Sequence, residues 1–207
     1  MPLIRMEKWQ PGSAWGLWRI NEGEEALANL VSEVPGPEIK SPPKRAEYLA
    51  GRALLHQMVE GMGFDYQGMT KDEFGKPWLV SGPAYMSLAH SFPYVAARLD
   101  ARCPVGIDVE QPKTKLLRVA PRVLSAAEQT NAGQALEKHC VYWSAKEALY
   151  KWYGRKGLHF ARQLWIDPFS LQRAGRLQGH IKTNEGEWHL GLRYCVLPDA
   201  VVVYTRQ

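Results

Sequence analysis

The hydrophobic rhythm of the chain changes several times, and each change predicts an element. AWGLWRI, residues 14–20, is rich in tryptophan and aliphatic residues and reads as a strand. VPGPEIKSPP, residues 34–43, is a proline-rich breaker. Beyond it, Tyr48, Leu55, Val59 and Met62 recur at helical spacing, which predicts a helix starting near Lys44 with one buried face. Ser41 stands where that helix needs a cap, and the prolines after it fall in the first turn. Arg45 and Arg52 lie seven residues apart on another flank, where a solvated face is the plain alternative to a binding role.

From residue 85 to 109 the period shortens. YMSLAHS, PYVAARL and PVGIDVE, interrupted by Pro93 and by a turn from Asp100 to Pro104, predict an antiparallel meander. LSAAEQTNAGQAL follows, with Ser125 and Glu128 at capping-box spacing. A helix holding WSAKEALYKW, residues 143–152, then runs to a stop at Gly154. The tail from about 164 to 205 returns to strands in SLQRAGRLQGHI, EWHLGLRYCV and AVVVYT. Helix and antiparallel strands thus occur in both halves. The expectation is an α+β fold of two similar lobes, 1–104 and 105–207, side by side and without a residue-level repeat.

Composition narrows the function classes. With 207 residues, 45% of them hydrophobic, the chain can bury a full core, which excludes a disordered or collagen-like protein. The first 15 residues hold no apolar run, and no window approaches the roughly 18 to 20 apolar residues that cross a bilayer, so a cytoplasmic protein is expected. Cys103, Cys140 and Cys195 are odd in number and have no CxxC spacing, which favours reduced thiols over a disulfide framework or a zinc site. The formal net charge of +5 favours an acidic partner: nucleic acid, a phosphorylated small molecule or an acidic protein. No Lys/Arg run reaches five residues, so the charge is a patterned surface and not a nucleic-acid tail.

The candidate chemistry starts at VGIDVEQ, residues 105–111. Side chains alternate along a strand, so Asp108 and Glu110 share a face and Val109 takes the other. Two carboxylates in one space repel unless one stays protonated or a cation such as Mg²⁺ lies between them. A solvated strand end is the alternative. Trp143, Glu147 and Lys151 stack at four-residue intervals on one helix face. Glu147 can supply a third oxygen ligand or accept a proton, and Lys151 can neutralise phosphate oxygens. A plain surface Glu–Lys pair is the competing reading. His90, at a strand end, and Lys76, in the rigid turn FGKPW, are further phosphate-binding candidates; each has an ordinary structural alternative. The P-loop, the dinucleotide fingerprint and the hydrolase elbow are all missing.

FGKPW, SLAHS, VGIDVEQ and WSAKEALYKW, in this order over residues 74–152, resemble the motifs of the 4'-phosphopantetheinyl transferases. The similarity is to the larger, surfactin-synthetase-activating type, and the first 40 and last 50 residues match only in general plan. The resemblance implies a pseudo-twofold pair of α+β lobes in a monomer, with coenzyme A in the cleft between them. It implies that Asp108, Glu110 and Glu147 hold Mg²⁺, that Lys151 and His90 contact phosphates, and that Lys76 helps hold the nucleotide end. Arg45 and Arg52 are candidates for the 3'-phosphate, and Ala89 stands where the family often has Ser. The implied reaction moves the 4'-phosphopantetheine arm to a serine of an acidic acyl or peptidyl carrier protein. Glu147, Lys151 and His90 would be the catalytic residues, with Glu128 a second base candidate whose alternative role is its capping box. No nucleic-acid or membrane partner is expected. The rival classes are a non-catalytic basic nucleic-acid binder, against which the acidic set argues, and a coenzyme A-binding module.

Overall fold

A computed structural model describes residues 3–10 and 12–206. The chain divides into two compact units, Met1–Pro104 and Val105–Gln207. Both are α+β.

In the first unit, β1 (Leu3–Gln10) and β2 (Ser13–Arg19) form a hairpin and α1 (Glu24–Ala28) follows. The long α2 (Pro42–Gly61) begins after Ser41, which occupies the cap position but makes no side-chain cap bond; the prolines start the helix by fixing its first turn. Next come the short pair β3 (Met69–Lys71) and β4 (Pro77–Leu79), then β5 (Tyr85–Ser91) and β6 (Tyr94–Asp100). Strand order in the main sheet is β1-β2-β6-β5, antiparallel throughout. Leu49, Leu54, Leu55, Met58 and Val59 of α2 pack against Trp18, Val95, Ala97 and Leu99 of the sheet. Tyr48 and Met62, expected on the buried face, flank this core and are only partly buried.

The second unit opens with β7 (Ile107–Glu110), followed by α3 (Lys115–Val123), α4 (Ala126–Ala132), α5 (Leu136–Tyr153) and the short α6 (Phe160–Gln163). Four strands complete it: β8 (Leu164–Ile166), β9 (Ala174–Thr183), β10 (Gly186–Val196) and β11 (Val201–Thr205). The sheet order is β7-β11-β10-β9-β8, again antiparallel. The expected three-strand meander over residues 85–109 does not form. β5 and β6 pair as a hairpin, but β7 is not the third strand of their meander; it pairs with β11, 91 positions or more along the chain. Hydrophobic alternation marks a strand without naming its neighbour, and β7 finds its hydrogen bonds on the edge of the other sheet.

The helix α5 lies along β7 and β11, with Val141, Ala145, Ala148 and Leu149 in the core. It ends at Gly154, whose φ of 74° is a left-handed cap that glycine adopts without strain. Gly106 sets the closeness of helix and strand. A Cβ there would stand 1.9 Å from the Ala148 carbonyl oxygen, so only glycine lets α5 press onto the start of β7. That contact brings the helix turn carrying Glu147 and Lys151 against Asp108. No helix of the described residues is long and apolar enough to cross a membrane.

Candidate active site

The second unit gathers the acidic residues. Asp108, on β7, is buried, and Lys151 reaches it from α5: Nζ donates to Asp108 Oδ1 at 2.7 Å and to the Ile107 carbonyl at 3.1 Å. The lysine therefore pairs across to the strand and not with Glu147 one turn behind it, so the surface Glu–Lys pair does not form. Asp108 Oδ2 is buried with no hydrogen-bond partner. Burial pushes the Asp108 carboxyl up, and the Lys151 ammonium opposes it.

Glu147 is half-buried. Burial first, then the neighbouring Asp108 charge, push its carboxyl up to about 7, with Lys151 opposing and Glu110 adding to the rise. Asp108 and Glu110 thus both act on Glu147, which brings the three carboxylates within electrostatic reach of one another. Glu110 is tied more loosely. Its Oε1 accepts from the Gln111 amide at 2.9 Å, and the Lys115 ammonium stands 3.8 Å from Oε2. Among the described residues no three His, Cys, Asp or Glu side chains close into a ready metal cage. The donor set still suits a hard cation: all oxygens, one of them buried without a partner, and one carboxyl whose charge burial and the neighbouring carboxylates disfavour until a cation is present.

Because the folded Glu147 carboxyl lies above its ordinary value of 4.5, the fold favours its protonated form. That contribution is complete below about 4.5 and is lost as pH rises through about 7. In EDTA, the melting temperature should therefore fall between these pH values, and Glu147→Gln should flatten the fall. A thermal melt series across that range checks it; an unchanged slope in the variant would remove Glu147 as its source.

Trp143 has a different role from its neighbours on the helix face. It lies on the edge of the core and packs on Phe160 at 6.2 Å between ring centroids. It is a packing residue of α5 and not part of the acidic group. Lys146, next to Glu147 and outside the expected site, is fully buried. Its ammonium donates to the carbonyls of Val123 at 2.8 Å and Phe160 at 3.1 Å, and pairs with Glu128 Oε2 at 2.6 Å. Glu128 Oε2 also accepts from the Ser125 amide, and Oε1 from the Ile166 amide at 2.9 Å. Both oxygens are filled and the residue is 3% exposed, so Glu128 is a cap and a buried ion-pair partner. Neither oxygen is left to act as a base. Lys146 stands inside WSAKEALYKW, and nothing local in that stretch signals that its ammonium is buried.

The first unit contains a cavity of about 670 Å³, lined by the cations Lys40, Lys44, Arg52 and Lys71, by His90 and Tyr48, and by Glu38 and Glu47 among others. Arg52 lies 3.4 Å over the Tyr48 ring, and its Nε is buried without a hydrogen-bond partner. His90 Nδ1 is 3.2 Å from Glu47 Oε2, which Lys44 also reaches at 2.7 Å. Ala89 is buried on the opposite face of β5 from the exposed His90. Arg45 points elsewhere: its Nε donates to Glu24 Oε1 at 2.6 Å, and it does not line the cavity. Lys76 sits over the Trp78 ring at 5.5 Å, with burial lowering its ammonium and Asp72 opposing that. Of the basic candidates in this unit, Arg52 and His90 therefore share a cavity, while Arg45 and Lys76 lie outside its lining. Lys40, Lys44 and Lys71 were missed because a scattered lysine carries no periodic signal.

Comparison with known proteins adds an independent line. Residues 104–203 match the model of the 4'-phosphopantetheinyl transferase superfamily. The 4'-phosphopantetheinyl transferase AcpT of Escherichia coli O157:H7 is 30% identical over 145 residues, which are 65% of this chain and 72% of that protein. A 4'-phosphopantetheinyl transferase of Bacillus subtilis is 28% identical over 154 residues, 68% of this chain and 65% of that relative. The 4'-phosphopantetheinyl transferase Sfp of Bacillus subtilis strain 168 is 33% identical over 106 residues, 48% of this chain and 45% of that protein. Asp108, Glu110, Glu147 and Lys151 all fall inside the stretch matched by the family model.

Proposed function

Because the chain belongs to the 4'-phosphopantetheinyl transferase superfamily, a family of enzymes, we propose that it transfers the 4'-phosphopantetheine arm of coenzyme A to a serine of an acyl or peptidyl carrier protein. The serine oxygen bonds to the β-phosphorus, the bond from that phosphorus to the bridging oxygen breaks, and 3',5'-ADP leaves. The observation that carries this reading is the meeting of β7 and α5, where Glu147 stands beside Asp108 and the Lys151 ammonium inside the stretch matched to the family. Without a metal the Glu147 carboxyl is held at about 7. A bound cation would favour its ionised form, the form that takes a proton from the attacking alcohol.

Lys151 supplies the fixed positive charge. Its ammonium already sits on Asp108, and phosphate oxygens of a bound substrate would compete for it. Asp108, Glu110 and Glu147 would hold Mg²⁺, whose chemistry when bound is to neutralise the carboxylates and screen the diphosphate. In the first unit, Arg52 and His90, with Lys40, Lys44 and Lys71, would hold the phosphates of the nucleotide end; the size and cationic lining of their cavity support this. Arg45 and Lys76 lie outside that lining and have no contact with the cavity's ligand in this reading. An acidic carrier protein complements the net charge of +5, and the free thiols Cys103, Cys140 and Cys195 suit a reducing cytoplasm and a monomer without disulfides.

The test is incubation with coenzyme A, Mg²⁺ and several unmodified carrier proteins, followed by mass spectrometry for one added phosphopantetheine arm. Transfer to at least one carrier is expected, and its absence from all of them overturns the reading. Lys151→Ala should lower the rate more than the stability. A large loss of melting temperature with turnover unchanged would make that lysine structural.

A further inference from the structure

The sheet of the second unit carries another group of cations, on the face away from α5. Arg176 on β9 and Arg193 on β10 are register partners, so their side chains leave the sheet side by side. Leu177 and Leu192, their neighbours in sequence, turn into the core and are buried, which puts the arginines on the opposite face. Like charges directly opposed on a ladder destabilise it. Here nothing offsets them: among the described residues, neither guanidinium has an ion-pair or hydrogen-bond partner. Arg193 Nε is in addition buried and unpaired.

The surroundings form a seat. Gly191 pairs with Gln178 in register, next to the two arginines. A Cβ at Gly191 would lie 3.1 Å from the Arg206 carbonyl oxygen, and the Arg206 amide donates to the Gly191 carbonyl at 2.8 Å. Arg206 thus continues the β11 ladder opposite Gly191 and puts a third arginine, itself already partnered, at the rim of the place. Arg176, Gln178, Gly191, Arg193 and Arg206 line a concavity of about 410 Å³. The carboxylates on the same side of the sheet are occupied: Glu187, further along it, by Lys182 at 3.4 Å, and Asp167, whose amide donates to the Gln178 carbonyl at the edge of the seat, by His180 at 3.0 Å.

We propose that this concavity is a second anion site, which binds the phosphate or diphosphate group of a small molecule and is separate from the transfer chemistry. A guanidinium offers parallel N–H donors that match two phosphate oxygens, and an anion between two opposed arginines turns their repulsion into cohesion across β9 and β10. A bound anion would also give Arg193 Nε the acceptor it lacks. The volume lies within the roughly 300–1,000 Å³ of small-molecule sites and exceeds what a bare phosphate fills. The donors are fixed protein cations, so the site needs no metal.

The experiment is a titration of the isotopically labelled full chain with sodium diphosphate and, in parallel, inorganic phosphate, in EDTA and without coenzyme A. The amide resonances of Gln178 and Gly191 are followed. Saturable shifts are expected, with diphosphate the tighter ligand. Arg176→Gln and Arg193→Gln should each weaken binding at these amides by about tenfold or more, the loss typical of a hydrogen bond to a charged group. Arg52→Gln, in the other unit, should leave them unchanged. The ligand-free melting temperature of Arg176→Gln should stay level or rise, since the substitution removes a repulsion. The proposal is overturned if no saturable shift appears at Gln178 and Gly191, or if both arginine variants bind as the parent does. It is likewise overturned if a carrier protein moves these amides and diphosphate does not, or if Arg176→Gln lowers the melting temperature with binding intact.

Discussion

Glu147→Gln is expected to lower phosphopantetheine transfer by about 10²- to 10⁴-fold, the range that positioned proton transfer contributes, while the protein stays folded. The amide keeps the volume of the carboxyl and cannot take a proton from the attacking serine. It also removes a group whose ionised form is disfavoured by burial and by Asp108, so stability near neutral pH should hold or improve. Asp108→Ala should abolish transfer as well, by a different route: it strips Lys151 of its anchor and leaves the ammonium with the Ile107 carbonyl alone. Steady-state rates together with thermal melts decide both. Near-normal turnover for either variant removes that residue from the site, and collapse of the fold in Glu147→Gln would contradict the burial argument.

The second large effect is on stability and falls next door in the chain. Lys146→Met should cost about 3 to 5 kcal/mol, because it leaves the Glu128 carboxylate buried without its ion partner. A loss of that size lowers the melting temperature by on the order of 10 °C in a chain of this length. Glu128→Gln should be similarly damaging, since it uncouples the ammonium from the cap of α4. The double replacement Lys146→Met with Glu128→Leu should recover part of the loss but not all, because the amides of Ser125 and Ile166 then lack their acceptor. Calorimetry on the three variants provides the test. A single replacement that leaves stability within 1 kcal/mol of the parent, a typical surface-pair value, would show that the pair is not structurally important.

The adjacent residues Lys146 and Glu147 show how far the chain could be read without its fold. The helix, its glycine stop and the four-residue stacking of Trp143, Glu147 and Lys151 were all legible, because a backbone period puts those side chains in a row whatever surrounds them. The partners of that row were not. Lys151 goes to Asp108, Trp143 to Phe160, and the lysine beside Glu147 is the one that becomes buried. Glu128 was open between base and cap for the same reason: spacing identifies a possible capping box, but only the approach of Lys146 and the Ile166 amide uses up both oxygens. Arg45 and Arg52 share a helical flank by spacing, yet Glu24 holds one while the other lies over Tyr48 in the cavity.

By itself the amino-acid order determined the α+β class, most of the helices and strands, the capping box, the shared face of Asp108 and Glu110, and the motifs that place the chain in its family. These are short-range properties, set by side-chain period, turn residues and local hydrogen-bonding competition. Tertiary structure decided which edge β7 joins, which carboxyls are buried beside which ammonium groups, and that Arg176 and Arg193 face each other across two strands. The physical reason is that burial and electrostatic coupling act over a few ångströms of space between residues far apart in the chain, where no local period reaches.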